Sequence, residues 1–181
     1  MVGDSLSAEY GLPRGTGWVS LLSDRVSRQE PQYNVVNASI SGDTTSGGRS
    51  RLPRLLEKYR PEVVVLELGA NDGLRGLDLG QMQDNLQAMI DACGVAHARV
   101  LLIGMRIPPN YGRDYSDRFF DCYAHLARTN RIGHVAFLLE GFADRIDWFQ
   151  VDHMHPAERA QASMLDNVWP QLRPLLRPPA S

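Results

Sequence analysis

Apolar runs rich in β-branched residues alternate along this chain with segments of helical periodicity, and that alternation restricts the fold more than any single motif does. The runs are Tyr33–Ala38 (YNVVNA), Pro61–Leu68 (PEVVVLEL), Arg99–Met105 (RVLLIGM) and His134–Leu139 (HVAFLL). Continuous apolar character of this kind marks strands buried on both faces, the condition of a parallel sheet. Between them Trp18, Leu21, Leu22 and Val26 share one helical face, as do Leu52, Leu55, Leu56 and Tyr59. Met82, Leu86, Met89 and Ile90 repeat the pattern, then Phe119, Phe120, Tyr123 and Leu126, and Ala162, Leu165, Val168 and Trp169 close the series. The order predicts an α/β protein, a parallel sheet with helices on both faces joined by right-handed crossovers. In such sheets ligands gather at the carboxyl ends of the strands. Pro174, Pro178 and Pro179 are expected to stop the last helix.

At 181 residues the chain has the size of one domain, expected to span residues 1–181. Hydrophobic content of 43% and charged content of 22% leave disorder and repetitive folds without support. A net charge of -2 with no long run of like charge argues against nucleic acid as a partner. No apolar run approaches the roughly 20 residues that span a bilayer. Cys93 and Cys122 are too few for a disulfide scaffold and too far apart for a metal knuckle, so buried free thiols are expected. The beginning is abrupt: Met1-Val2 run straight into Gly3-Asp4-Ser5, where a strand of about five residues is the norm. The expectation is a truncated first strand, with part of the protein lying upstream.

Four loops follow the inferred strands or close the chain. The first, Gly3-Asp4-Ser5-Leu6-Ser7, lifts a serine hydroxyl onto a helix start. The second contains Ser41-Gly42-Asp43-Thr44, the third Gly69-Ala70-Asn71-Asp72, and the fourth Asp152-His153-Met154-His155. Each alone is ordinary turn and capping vocabulary. Together they supply a nucleophile, a base, an orienting carboxylate and oxyanion donors, the parts of acyl transfer. Ser5 needs a neighbouring base because its hydroxyl is un-ionised near neutral pH, and His155 can take that proton and return it to a leaving group. Asp152 would orient the imidazole. The backbone N–H groups of Ser5 and Gly42 and the amide of Asn71 would receive the developing negative charge.

GDSLS, the glycine of SISGDT, the asparagine of GAND and the DxxH of DHMH resemble the four blocks of the SGNH (GDSL-type) hydrolases. VVNASISGDTTSGG, ELGANDGLRG and IPPNYGR resemble in particular the bacterial thioesterase, protease, lysophospholipase and arylesterase group. The likeness runs nearly the full length. It implies a three-layer α/β/α, flavodoxin-like fold with strand order 2-1-3-4-5, and hydrolysis of esters or thioesters through an acyl-enzyme. Ser5 falls on the family's nucleophile, Gly42 and Asn71 on its oxyanion positions, and Asp152 and His155 on its remaining catalytic pair. No cofactor and no metal are implied. Relatives commonly carry glycine where His153 stands, so His155 is the base. Gly73, Leu74, Arg75 and Gly76, with Arg106, Ile107, Pro108, Pro109, Asn110 and Tyr111, are expected to line the acyl site. The substrate implied is a small or lipid acyl ester, the enzyme is expected to be a monomer, and the family implies a periplasmic or secreted location, or a cytoplasmic one if Met1 is the true start.

Three other readings compete. A carbohydrate acetyl-esterase uses the same blocks and would prefer acetyl groups to long chains. A catalytically inactive binding module would have lost at least one of the five site residues. A flavin or nucleotide binder of flavodoxin topology lacks here the glycine-rich phosphate loop after the first strand.

Overall fold

The computed structural model describes residues 1–176, so Pro178 and Pro179 lie outside the described residues. Four strands form one sheet: β1 (Val2–Gly3), β2 (Val63–Glu67), β3 (Arg99–Ile103) and β4 (Gly133–Val135). They stand in the order β1-β2-β3-β4, and every pairing is parallel. The register runs from Val2↔Leu66 through Leu66↔Leu102 to Leu102↔His134.

The helices are α1 (Trp18–Gln29), α2 (Thr45–Tyr59), α3 (Ala70–Leu74), α4 (Leu79–Val95), α5 (Arg113–Asn130) and α6 (Gln161–Leu172). α1 packs on α6, while α2 packs on α4 and α4 on α5, which gives a helical layer on each face of the sheet. The expected apolar stripes are the buried ones: Trp18, Leu22, Met82, Leu86, Phe119, Tyr123 and Val168 are buried in one core with Leu66, Leu101 and Leu102 of the strands. Cys93 and Cys122 are buried free thiols, and burial pushes them up to about 12 and about 11.

Two strand expectations need correction. Tyr33–Ala38 is not a strand of the sheet, so the expected order 2-1-3-4-5 gives way to four strands. Its end nevertheless lies along the open edge of β1: the Met1 amine donates to Val36 O at 2.9 Å, Ala38 N to Met1 O at 2.9 Å and Ile40 N to Gly3 O at 3.0 Å. The Arg51 guanidinium holds the Ala38 carbonyl and reaches the Gly3 carbonyl at 3.3 Å, occupying acceptors on both sides of the junction. The ladder therefore stops after a few bonds. The last strand is also shorter than the run His134–Leu139. After Val135 the chain turns, with Leu138 N donating to Gly104 O at 3.1 Å, and Phe137, Leu138 and Leu139 are buried from a loop.

Candidate active site

β1 ends at Gly3 and delivers Ser5 to the carboxyl edge of the sheet within two residues. The turn is built by Asp4, whose Oδ1 accepts the Leu6 N–H at 3.0 Å while its carbonyl accepts Ala8 N at 3.0 Å. This is a side-chain cap on a single helical turn, the conformation that Gly-Asp-Ser favours. Asp4 is buried, and burial pushes its carboxyl up to about 6 against the pull of the Leu6 N–H, His155 and the Asn71 amide.

His155 arrives on a loop pinned at its base by Gln150 N to His155 O (2.8 Å) and Ala157 N to Trp148 O (2.7 Å). His155 Nε2 stands 2.9 Å from Ser5 Oγ, and Nδ1 stands 2.7 Å from Asp152 Oδ2. Asp152 Oδ1 accepts the N–H groups of Met154 (2.9 Å) and His155 (3.0 Å), so one carboxylate fixes both the loop and the ring. Burial alone would raise the Asp152 carboxyl, but those two N–H groups and the imidazole hold it down to about 2. The carboxylate thus favours the tautomer with hydrogen on Nδ1, which leaves Nε2 free to accept the serine proton. His153 is exposed, and its backbone is left-handed at φ +55°. That conformation suits glycine, and the histidine stands outside the cavity lining.

Gly42 occupies the third position of a turn from Ile40 to Asp43, closed by Asp43 N to Ile40 O at 3.1 Å, with φ +77°. A side chain there would be strained in this backbone region. The turn is tied down from two sides. Arg75 Nη2 donates to Gly42 O at 2.9 Å, and Arg51 Nε donates to Asp43 Oδ2 at 2.8 Å. Asn71 sits just beyond β2, where its Nδ2 donates to Asp43 O at 3.0 Å and to Asp4 Oδ2 at 3.1 Å. The buried Asp72 accepts Thr45 N at 2.9 Å and Thr45 Oγ1 at 2.6 Å. Three loops are therefore locked together by side chains aimed at backbone groups.

Ser5 and His155 open onto a cavity of about 350 Å³ that Gly42 and Asn71 also line. Its apolar wall is Leu6, Tyr10, Ala70, Leu74, Met105, Ile107 and Met154. Of the expected lining residues Leu74, Arg106 and Ile107 belong to it. Gly73 is packed beneath, where a Cβ would meet Phe119 at 2.7 Å. Arg75 is spent on the Gly42 carbonyl, Tyr111 donates through its hydroxyl to Leu74 O at 2.8 Å, and Pro108 O accepts Tyr111 N at 3.3 Å. The Arg75 and Tyr111 side chains thus satisfy loop carbonyls instead of facing the cavity. Arg106 does reach the lining, with its guanidinium 3.6 Å from the centre of the Phe120 ring. Tyr10, Met105 and Met154 are lining residues that sequence reasoning missed, because nothing in a lone tyrosine or methionine separates a pocket wall from a core.

A parallel α/β sheet with a serine, an imidazole and a carboxylate in hydrogen-bonded series at its carboxyl rim defines the serine-hydrolase class of site. Residues 1–162 match the GDSL-like Lipase/Acylhydrolase family, and the chain belongs to it. It is 48% identical over 176 residues to Esterase TesA of Pseudomonas aeruginosa, covering 97% of this chain and 88% of that one. It is 39% identical to Thioesterase 1/protease 1/lysophospholipase L1 of Escherichia coli, covering 97% and 83%. The crystal structure of the psychrotrophic esterase EstA from Pseudoalteromonas, inhibited by monoethylphosphonate, is similar with TM-score 0.91 at 39% identity, over 97% of this chain and 96% of that one.

Proposed function

We propose that this chain hydrolyses carboxylic esters and thioesters through an acyl-enzyme on Ser5. The observation that carries the reading is the series Ser5 Oγ to His155 Nε2 (2.9 Å) and His155 Nδ1 to Asp152 Oδ2 (2.7 Å) at the mouth of an apolar cavity. Nε2 takes the hydroxyl proton as Oγ attacks the acyl carbon, and Asp152 stabilises the imidazolium that forms. The oxyanion is received by the N–H groups of Ser5 and Gly42 and by one Asn71 N–H, which leaves its protein acceptor for the charged oxygen. Each such donor lowers the barrier by about 3 kcal/mol. The imidazolium gives its proton to the departing alkoxide or thiolate. Water, deprotonated by the same imidazole, then attacks the acyl-serine and frees the acid.

The cavity volume falls within the range of small-ligand pockets, and its walls suit an acyl chain better than a sugar. The phosphonate-inhibited EstA is in keeping with a serine nucleophile at the matching block. Among the described residues no helix is long and apolar enough to cross a membrane. We read the enzyme as a single-domain monomer, with a site made up within one chain by Ser5, His155 and Asp152, and the family relationship favours a periplasmic or secreted site of action. Size-exclusion chromatography and cell fractionation test these two points.

The decisive experiment is labelling by a fluorophosphonate, with wild type beside Ser5→Ala and His155→Ala, together with hydrolysis of aryl esters from acetyl to long acyl chains. Labelling of wild type alone, with turnover on chains of about eight carbons, is expected. A folded wild type that is not labelled overturns the catalytic reading, and activity confined to acetyl groups on sugars overturns the substrate class.

A further inference from the structure

Glu67 ends β2 and is fully buried, at 0% exposure, yet no step of acyl transfer calls on it. Its Oε2 receives the Ser7 hydroxyl at 2.7 Å and the Asp4 N–H at 3.4 Å, so it reaches the nucleophile turn on both sides of Ser5. Glycine at position 3 is what admits it: a Cβ there would lie 2.8 Å from Glu67 Oε2 and 2.9 Å from the Ser7 side chain.

Glu67 Oε1 is buried without a hydrogen-bond partner. The polar groups around the carboxyl are the Asp4 carboxyl, the Ser7 hydroxyl and the Tyr123 phenol, and among the described residues no cation pairs with it. An ionised carboxylate here would be dry, orphaned at one oxygen and beside a second acid. A neutral acid leaves one uncharged oxygen unpaired, a far smaller penalty. Burial first, and Asp4 second, push Glu67 well above the usual carboxylate range.

We propose that Glu67 is a positioning residue for Ser5, acting as an uncharged acid that grips the nucleophile turn at Asp4 and Ser7. The inference rests on Ser5 being the nucleophile. It requires an acceptor at position 67, not a charge, and it acts on the turn that carries the reacting oxygen and not on the cavity, which Glu67 does not line.

The test compares the full chain as wild type, Glu67→Gln, Glu67→Leu and Ser7→Ala in aryl-ester kinetics, fluorophosphonate labelling rate and amide exchange across Asp4–Ser7. Glu67→Gln is expected to keep kcat within about threefold, while Glu67→Leu loses about 10–100-fold in kcat and labelling rate at unchanged KM. Ser7→Ala is expected to move the same way by a smaller factor, and it decides the matter if the leucine variant does not fold. A Glu67→Gln variant as impaired as Glu67→Leu, or a Glu67→Leu loss confined to KM, overturns the proposal. Exchange reads the grip without turnover: faster exchange in Glu67→Leu but not in Glu67→Gln supports it, and unaltered exchange in Glu67→Leu and Ser7→Ala overturns it even in a chain that proves not to be a serine hydrolase.

Discussion

The Tyr10 ring lies against the imidazole of His155, with centroids 4.5 Å apart and planes tilted by 40°. Gln150 Nε2 holds the Tyr10 carbonyl at 2.8 Å, which ties this aromatic wall to the loop that carries the base. The contact limits rotation of the imidazole and keeps water from one of its faces. Tyr10→Ala is expected to lower kcat about 3–10-fold, matching the 0.5–1.5 kcal/mol of an aromatic pair. Tyr10→Phe keeps the ring and is expected to stay near wild type. Steady-state hydrolysis of a short aryl ester distinguishes them.

Asp152→Asn retains the shape of the side chain but replaces the acceptor that selects the productive tautomer of His155. A fall of about 10³–10⁴ in kcat is expected, with KM little changed. Near-UV circular dichroism should be that of wild type, since an amide oxygen can still accept the Met154 and His155 N–H groups.

Asp4 and Asp152 impose opposite pH dependences on stability. Asp4 is raised by burial from 3.8 to about 6, so the folded state holds its proton more tightly than the unfolded chain does. Its effect is most favourable below about pH 4 and is lost as pH rises through 6. Asp152 is held down to about 2, so its contribution is present above pH 4 and disappears as pH falls through 2. Urea midpoints taken from pH 4 to pH 7 should therefore decline for wild type relative to Asp4→Asn. Parallel curves for the two proteins would contradict the assignment.

His153 holds a left-handed backbone at φ +55°. His153→Gly relieves that conformation and is expected to stabilise the fold by about 1 kcal/mol, or 2–4 °C in Tm for a chain of this size. Esterase activity should be unchanged, in contrast to the loss in His155→Ala. Calorimetry and the aryl-ester assay check both parts.

Gly69 has φ +115°, and a Cβ there would approach Tyr123 Oη to 2.3 Å. Tyr123 is fully buried and donates to Leu68 O at 3.0 Å, so it has no room to retreat. Gly69→Ala is expected to cost about 2–4 kcal/mol and to lower Tm by roughly 5–15 °C. Asn71 lies two residues on, and kcat should fall as well.

The four loops were legible in the sequence because acyl transfer tolerates few residue types, and the helices because Trp18, Leu22, Met82 and Phe119 recur at helical spacing. Hydrogen-bond competition was not legible. YNVVNA has strand composition, but whether its carbonyls meet a neighbouring strand or Arg51 depends on a helix further along the chain. Arg75, Pro108 and Tyr111 sit in the right loops, yet Arg75 and Tyr111 turn their polar ends to carbonyls of other loops, which spacing does not encode. The acid inside the apolar run VVVLEL was a visible irregularity. Only the parallel register that sets Gly3 opposite Glu67 shows what it faces.

The Ser5–His155 hydrogen bond joins residues 150 positions apart, and the α1–α6 contacts span nearly as much, from Trp18 to Gln161 and from Arg25 to Asp166. Closing so long a loop is among the slowest and most entropically demanding events in folding. During synthesis the serine turn leaves the ribosome 150 residues ahead of the imidazole that activates it. The serine and its base are therefore brought together only by this long-range closure, and a chain in which it has not formed carries a serine with no base beside it.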